Sequence, residues 1–487
     1  MAYPGPYTWL GWICMTPWLI TVKRSRPLSG FILGLAYGAL YILPYKINGI
    51  FNAVSSLNPP YHMEYAISAV FYSPYILPFA IFGIYKSYQK NESTRGIITD
   101  AALLMLLIYL FPKIFPVTPA LVLHNQPVMI QLADIGGVPL ILFLQIMINF
   151  LFADLLCELW NKKLRLKTVS MLAGIFICIL SYGLHRMHIF EGGQNDENGV
   201  SVEILAVQPN LPLSAGISGL IRDNKRYVFS ALEMSRKGIG EHPSTELIVW
   251  PEAHANASCD PNGPVMKKLE QVSKELGKAF IFHCNDTIDE EHQYNVAAMV
   301  RPDGVVETEY RKRGLIPIFE SDFFRFAVFG DSKDYFKVIP GKKPVSYNIG
   351  ANVKVAPFVC YDIHFQELVR KSVINGGEIL LHMSNERLFD DLMISYSDHA
   401  MAVFRAVEFK KPMVRVTNTG FGAFVSPTGE LLGDGITPFG KKGAYWYKVA
   451  PNKTKTFYCR FGDVILYLMI IWLIMDLFCT HYWNKII

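Results

Sequence analysis

The sequence predicts a multi-pass α-helical membrane domain, then an α/β extracytoplasmic domain, then one last membrane helix. Of the 487 residues, 51% are hydrophobic and only 18% are charged, a balance more typical of membrane proteins than of soluble ones. Apolar stretches dominate residues 1–189, whereas residues 190–460 are polar and contain short strand-like runs. We therefore expect a transmembrane domain at 1–189, a water-soluble domain at 190–460, and a transmembrane helix with a short cytoplasmic tail at 461–487.

The membrane prediction depends on seven apolar stretches of spanning length, of which the first two are short for spans. The N-terminus lacks a basic n-region, so no cleavable signal peptide is predicted. The stretches lie at about 8–22, 29–45, 65–85, 97–115, 134–156, 168–186 and 462–480.

The charges of the connecting loops predict the orientation. The alternate loops carry Lys46 as their one basic residue. By the positive-inside rule the strongly basic loops face the cytoplasm, so the sixth stretch runs outward. We expect residues 190–460 in the periplasm of a Gram-negative cell, attached to the inner membrane. The basic loops, after the first, third and fifth stretches, contain Lys23, Arg24, Arg26, Lys86, Lys90, Arg95, Lys162, Lys163, Arg165 and Lys167.

Charge and cysteine content make several other classes of protein improbable. The formal net charge of +5 is not gathered into one patch, so no nucleic-acid partner is expected. The eight cysteines form no CxxC pair and no metal-ligand spacing, so no metal site is expected. A disulfide framework is not predicted, although a pairing of Cys259 with Cys284 stays open.

Residues 190–460 have the pattern of an α/β domain. Helical patterns at Val265–Leu276 and Ser395–Phe409 separate apolar strand-like runs, and turn sequences at 301–304 and 426–429 predict two hairpins. The predicted strands are Glu203–Gln208, Glu246–Trp250, Ala279–His283, Asn295–Arg301, Lys354–Val359, Ile379–Met383, Met413–Thr417 and Ala423–Ser426.

Three segments of this domain place a reactive residue at or near the end of an apolar run: Glu252, Lys312 and Cys360. A thiolate attacks acyl carbon well but needs a base or a cation nearby to form. A glutamate can move the thiol proton, and a lysine can stabilise the oxyanion of the intermediate. Taken singly, each residue has an ordinary structural interpretation as a buried thiol, a basic turn or a capping carboxylate.

In this order and at these separations, the three segments resemble the carbon–nitrogen hydrolase (nitrilase) superfamily. Its pattern has a Glu after a strand, a Lys in a Tyr-x-Lys turn and a Cys in a Cys-Tyr-Asp or Cys-Tyr-Glu elbow. The flanking apolar stretches resemble one branch, the apolipoprotein N-acyltransferases. Further matching segments are Leu315-Ile316-Pro317, Met383-Ser384-Asn385, Arg405-Ala406-Val407-Glu408 and Asn418.

The resemblance implies an αββα sandwich and a ping-pong acyl transfer that needs no metal or organic cofactor. A phospholipid would acylate the thiol, and the thioester would acylate the terminal amine of a diacylglyceryl-cysteine apolipoprotein. By match, Cys360 is the nucleophile, Glu252 the general base and Lys312 the oxyanion stabiliser. The enzyme is expected to act as a monomer in the membrane.

The resemblance also implies residues that support the triad. Tyr361 would add its backbone N–H to the oxyanion hole, and Tyr361 and Asp362 would shape the elbow. Glu320 matches a second active-site glutamate, and Asn295 lies in a matching segment beside the site. Asp362 stands where this branch usually has Glu, residues 384–389 lack the usual Trp, and seven stretches stand where the branch has eight.

Substrate contacts are the least determined part of the sequence. Residues 318–329 hold five aromatic side chains, which predict either ordinary domain core or a mobile lid at the membrane surface. Phe323, Phe324 and Phe389 are the candidate contacts. Two rival functions stay open: a membrane-bound amidase, or acyltransferase with another amine acceptor, and a non-catalytic lipid-binding protein with the same fold.

Overall fold

The computed structural model of the chain forms two compact units. The first contains the helices up to Met187 and the residues from Thr456 onward, and the second is His188–Lys455. The residues that the structure describes are 7–46, 64–89, 94–191, 199–211, 216–252, 258–289, 291–317, 320, 337–350, 352–389 and 391–486.

The first unit is helical. By length and composition, Tyr65–Tyr88, Ala133–Trp160 and Leu166–Phe190 are long and apolar enough to cross a membrane, and Thr8–Val22, Pro27–Ile42 and Val464–Cys479 are shorter apolar helical segments. The spanning of a bilayer by these and the other predicted stretches stays a prediction. Among the described residues, the α-helices longer than one turn in this unit are α1 (Thr16–Val22), α2 (Pro27–Lys46), α3 (Glu64–Tyr88), α4 (Thr94–Leu110), α5 (Ala133–Trp160), α6 (Leu166–Glu191), α11 (Phe457–Phe461) and α12 (Val464–Ile486).

Helices α2 and α3 approach each other at backbone distance because glycines line their contact. A Cβ atom on Gly34 would lie 2.3 Å from the backbone oxygen of Phe79, and one on Gly83 would lie 2.1 Å from that of Gly30. Small residues spaced four apart are what allow two apolar helices to pack this closely. Gly30 and Gly34 therefore explain why this helix pair is tight.

The second unit contains two β-sheets. One has the strand order β13-β1-β2-β3-β4-β5, with β6 beside β4, and the other has the order β12-β11-β10-β9-β8-β7. The strands are β1 (Val202–Gln208), β2 (Leu247–Val249), β3 (Ala279–Thr287), β4 (His292–Val300), β5 (Val306–Arg311), β6 (Lys337–Val338), β7 (Tyr347–Ile349), β8 (Val353–Val359), β9 (Ile379–Ser384), β10 (Met413–Thr417), β11 (Ala423–Val425), β12 (Leu431–Ile436) and β13 (Gly443–Val449).

The two sheets pack face to face with helices outside them. Val249 and Tyr310 of the first sheet share one buried core with Val359 and Val416 of the second. On its other face the first sheet packs Phe280 and its neighbours against α7 (Gly216–Glu241) and α8 (Pro264–Leu276). Helices α9 (Gln366–Ile374) and α10 (Leu392–Phe409) pack on the second sheet. The arrangement gives four layers, helix–sheet–sheet–helix.

All eight predicted strands are present with small shifts at their ends, and both predicted hairpins form. The β4–β5 turn ends at Gly304 (φ +87°) and the β11–β12 turn at Gly429 (φ +89°), a left-handed backbone that favours glycine. Among the described residues of the second unit, the α-helices and strands that the sequence did not predict are α7, α9, β5, β6, β7, β12 and β13.

Candidate active site

The chain turns sharply at Cys360. Strand β8 ends at Val359, and a 3₁₀ turn, Cys360–His364, begins directly after it. Cys360 has φ +50°, in the left-handed region that side chains other than glycine rarely adopt. Such backbone costs roughly 1–3 kcal/mol and persists where the surroundings impose it, often at functional sites. A strained turn between a strand and a helix is also how other enzymes expose a nucleophile.

Asp362 holds this turn against the segment that contains Lys312. Its buried carboxylate accepts hydrogen bonds from the backbone N–H of Val359 (3.0 Å), Arg313 (3.0 Å) and Gly314 (2.5 Å), and from the hydroxyl of Tyr310. These bonds join the elbow to the end of β5. The side chain of Asp362 is therefore long enough to connect the elbow to the end of β5, although the branch that the sequence resembles usually has glutamate here.

Lys312 lies at the centre of a buried, charged cluster. Its side chain is 1% exposed, and Nζ lies 2.7 Å from Oε1 of Glu320 and 3.6 Å from Oε1 of Glu252. Asn295 donates through Nδ2 to Glu320 (3.1 Å), and its backbone oxygen accepts from the N–H of Lys312 (2.7 Å). The structure thus brings together four residues that the sequence had singled out from distant segments.

The charges of this cluster act strongly on one another. Burial by itself lowers the pKa of Lys312, but Cys360, Glu320 and Glu252 outweigh it and raise that pKa well above its ordinary value. Burial raises the pKa of the Cys360 thiol well above its ordinary value; Glu252 and Glu320 add to the rise, and Lys312 opposes it. The ammonium of Lys312 therefore opposes the rise in the pKa of the thiol without cancelling it. At neutral pH the thiol keeps its proton and needs a base to remove it.

Behind the elbow lies a second polar network that the sequence reasoning missed. His382 of β9 has Nε2 at 2.9 Å from the backbone oxygen of Cys360. Arg415 of β10 places Nη1 2.6 Å from Nδ1 of His382 and donates to Oε1 of Glu386 at 2.5 Å. The sequence feature that could have revealed these two residues is a polar side chain in the middle of an apolar strand, in Leu-Leu-His-Met and in Val-Arg-Val.

The other predicted residues have simpler positions. Tyr361 is buried, with its ring centroid 5.1 Å from that of Phe365 in an edge-on contact. Phe389 is also buried. Phe323 and Phe324, with most of the aromatic stretch at 318–329, lie outside the described residues. Among the residues that the structure describes, no group of three or more His, Cys, Asp or Glu side chains is arranged to hold a metal ion.

A disulfide joins Cys259 to Cys284, the pairing that the sequence left open. Cys259 lies shortly after Glu252, and its N–H donates to the backbone oxygen of Asn285 in β3 (2.9 Å). Asn285 in turn faces Asn295 across the β3–β4 ladder. The bond fastens the chain that follows Glu252 to the strand beside the charged cluster.

Comparison with known proteins gives matches to both units of the chain. A family model for carbon–nitrogen hydrolases matches residues 223–444, and one for the apolipoprotein N-acyltransferase N-terminal domain matches residues 1–151. An apolipoprotein N-acyltransferase from Geobacter metallireducens is 24% identical over 95% of this chain and 89% of its own length. One from Thermotoga maritima is 26% identical over 74% of this chain and 65% of its own.

Among solved structures, a member of branch 10 of the nitrilase superfamily from Saccharomyces cerevisiae is similar to part of the chain. It covers 52% of this chain and 90% of its own length at 18% identity, with a TM-score of 0.39.

Proposed function

Because this chain belongs to the apolipoprotein N-acyltransferase family, we propose that it transfers an acyl chain from a phospholipid to a lipoprotein. The family lies within the carbon–nitrogen hydrolase superfamily. The acceptor is the terminal amine of a diacylglyceryl-cysteine lipoprotein, and the acyl chain passes through a thioester on Cys360. The observation that carries this proposal is the buried cluster in which Lys312 lies between Glu252 and Glu320 and acts electrostatically on Cys360.

In the first half-reaction Glu252 takes the proton of the Cys360 thiol as sulfur attacks the ester carbonyl of the phospholipid. The oxyanion that forms is stabilised by the ammonium of Lys312 and by the N–H of Tyr361. The ester C–O bond then breaks, and Glu252 returns its proton to the leaving lysophospholipid oxygen. The product is an acyl thioester on Cys360.

In the second half-reaction the lipoprotein amine attacks the thioester carbonyl. Glu252 takes a proton from the amine, the C–S bond breaks, and the proton returns to sulfur. Glu320 and Asn295 touch no reacting atom in this scheme. They position Lys312, since Glu320 holds its ammonium and the backbone of Asn295 holds its N–H.

Two independent observations support a periplasmic catalytic domain on an inner-membrane anchor. The loop charges favour outward export of residues 190–460, with 1–189 and 461–487 as the membrane parts. The Cys259–Cys284 bond favours the same side, because disulfides persist in oxidising compartments and are rare in the cytosol. A phospholipid donor in the membrane and an exported lipoprotein acceptor both suit that location.

The decisive experiment is the intact mass of the purified enzyme after incubation with phospholipid, with and without a diacylated lipopeptide. We expect an acyl adduct that persists alone and disappears when the lipopeptide is added, with the acyl chain recovered on the peptide amine. An adduct that water removes as fast as the peptide does would identify a hydrolase. The absence of any adduct would contradict the proposal.

The orientation has its own test. A reporter that is active only in the periplasm, fused after His188, should be on, and the same reporter fused after Lys163 should be off. The reversed pattern would contradict an extracytoplasmic catalytic domain.

A further inference from the structure

The carbonyl of the nucleophile's own residue has a dedicated hydrogen-bond donor behind the elbow. We propose that His382 is a positioning residue that orients the Cys360–Tyr361 peptide so that the N–H of Tyr361 can bind the oxyanion. The inference rests on the proposed function, because it assigns a role within that reaction. It concerns a side chain that is buried in the middle of strand β9.

Geometry determines which ring nitrogen of His382 carries the proton. The guanidinium of Arg415 can only donate, so Nδ1 of His382, 2.6 Å from it, must accept. Nε2 is then the protonated nitrogen and donates to the oxygen of Cys360 at 2.9 Å. Burial and the positive charge of Arg415 together lower the pKa of His382 to about 3, so this neutral tautomer persists at neutral pH.

Arg415 is itself fixed. Its Nη2 donates to Glu386 at 2.5 Å, its Nε donates to the backbone oxygen of Phe421 at 2.9 Å, and the residue is 1% exposed. His382 and Arg415 also face each other in the register of the parallel strands β9 and β10. The sheet therefore sets the position of the donor before any substrate binds.

The link to the oxyanion follows from the peptide group. The described residues contain no cis peptide bond, so the C=O of Cys360 and the N–H of Tyr361 point in opposite directions across one rigid plane. When the carbonyl oxygen of Cys360 is hydrogen-bonded to His382, the N–H of Tyr361 therefore points away from His382. An amide whose oxygen accepts a hydrogen bond is also polarised and becomes a better donor at nitrogen. The left-handed φ of Cys360 makes this support relevant, because such backbone persists only where the surrounding structure imposes it.

Two variants separate positioning from general stability. His382→Leu removes the donor, whereas His382→Gln keeps an oxygen that can accept from Arg415 and an NH₂ that can donate to Cys360. The first measurement is the rate of acyl-enzyme formation at saturating phospholipid. A full oxyanion donor is worth about 10²–10³-fold in rate, so a misaimed one in His382→Leu should cost about 10–100-fold, with KM unchanged. His382→Gln should recover most of that loss.

The second measurement reads the oxyanion hole directly. The infrared stretch of a ¹³C-labelled acyl thioester on Cys360 falls in frequency when its oxygen accepts hydrogen bonds. We expect a higher frequency in His382→Leu than in wild type, and a frequency near wild type in His382→Gln. Because the band comes only from acylated, folded protein, the comparison holds even if the leucine variant is less stable.

The outcomes are distinct. Wild-type rates and frequencies in His382→Leu would overturn the inference and leave the proposed function intact. A slow His382→Leu enzyme with the wild-type carbonyl frequency, and no rescue by glutamine, would assign His382 a structural role only and also overturn it. A wild-type enzyme that forms no adduct would remove the proposed function and this inference together.

Discussion

The two units of the molecule differ in the kinds of buried charge that they contain. Both contain buried one-to-one ion pairs: Lys86 with Asp100 in the helical unit, whose side chains are 3% and 5% exposed, and Arg415 with Glu386 in the α/β unit. The α/β unit also contains a cluster of another kind, in which a single ammonium, that of Lys312, acts on two carboxylates and a thiol.

Under the proposed function, the one-to-one pairs stabilise the structure, whereas the cluster around Lys312 moves a proton. A one-to-one buried pair is satisfied in a single protonation state, and removing one partner leaves an uncompensated charge. A cluster of two carboxylates and one ammonium beside a thiol has two accessible arrangements, with the proton on sulfur or on a carboxylate. Under the proposed function, the ratio of carboxylates to ammonium groups, rather than burial, distinguishes the reactive site of this chain from its structural ion pairs.

The largest effect is expected at the nucleophile. Cys360→Ala should abolish the acyl adduct, because no other group in the proposed scheme can form the thioester. Intact mass after incubation with phospholipid measures it. Cys178→Ala, at an exposed cysteine of helix α6, is the matched control and should acylate normally. An adduct that survives in Cys360→Ala would mean that the nucleophile lies elsewhere.

The base should come next. Glu252→Gln keeps the shape of the side chain and removes proton transfer, so single-turnover acylation should slow by about 10²–10⁴-fold. The same change removes a negative charge that raises the pKa of Cys360, so that pKa should fall. The pH dependence of Cys360 alkylation by iodoacetamide should therefore shift to lower pH, while acyl transfer slows. A variant that acylates at the wild-type rate would exclude Glu252 as the base.

Lys312→Met should give the opposite sign in the alkylation experiment. Removing the ammonium takes away a charge that lowers the pKa of Cys360, so alkylation should need a higher pH. Acylation should slow by about 10²–10³-fold, as for a lost oxyanion donor. The Glu252→Gln, Lys312→Met double variant should fall well short of the product of the two losses, because the residues act as a unit. Alkylation shifts of the same sign in both single variants would contradict this division of roles.

The smallest effect on acyl transfer is expected from the ion pair of Lys86 and Asp100. Lys86→Met should lower the free energy of unfolding by about 3–5 kcal/mol, because the buried carboxylate of Asp100 loses its ion-pair partner. Enzyme that remains folded should acylate Cys360 at the wild-type rate. Replacing both partners with apolar residues should recover much of the lost stability, as measured by thermal unfolding in detergent. Slow acylation by a folded Lys86→Met enzyme would contradict the distinction between structural ion pairs and the cluster around Lys312.

Much of the α/β fold could be predicted because its strands are short apolar runs with clear ends. Met413–Thr417 is found at its predicted limits. Strand β12, Leu431–Ile436, was missed because two glycines with positive φ, Gly433 and Gly435, interrupt its pattern. Strand β7, Tyr347–Ile349, is three residues long, too short for a periodic signal.

The candidate site likewise contains some residues that the sequence could predict and others that it could not. Glu252, Lys312 and Cys360 could be singled out because each follows or adjoins an apolar run and the three together resemble a known pattern. The network of His382 and Arg415 could not, since the two residues are far apart in the chain and meet only through the register of β9 and β10. The convergence of Glu320 and Asn295 on Lys312 likewise depends on distances that spacing does not give.

The Cys259–Cys284 bond also bears on when the enzyme matures. Under the proposed topology both cysteines are made in the reducing cytosol and can be joined only after export. The chain that follows Glu252 is therefore fastened to β3 late in biogenesis, after the surrounding domain has been delivered to its working side of the membrane. A newly made chain that has not yet been exported would lack the Cys259–Cys284 bond close to the proposed base, Glu252. Under that topology, the bond forms in the same compartment in which the proposed acceptors lie.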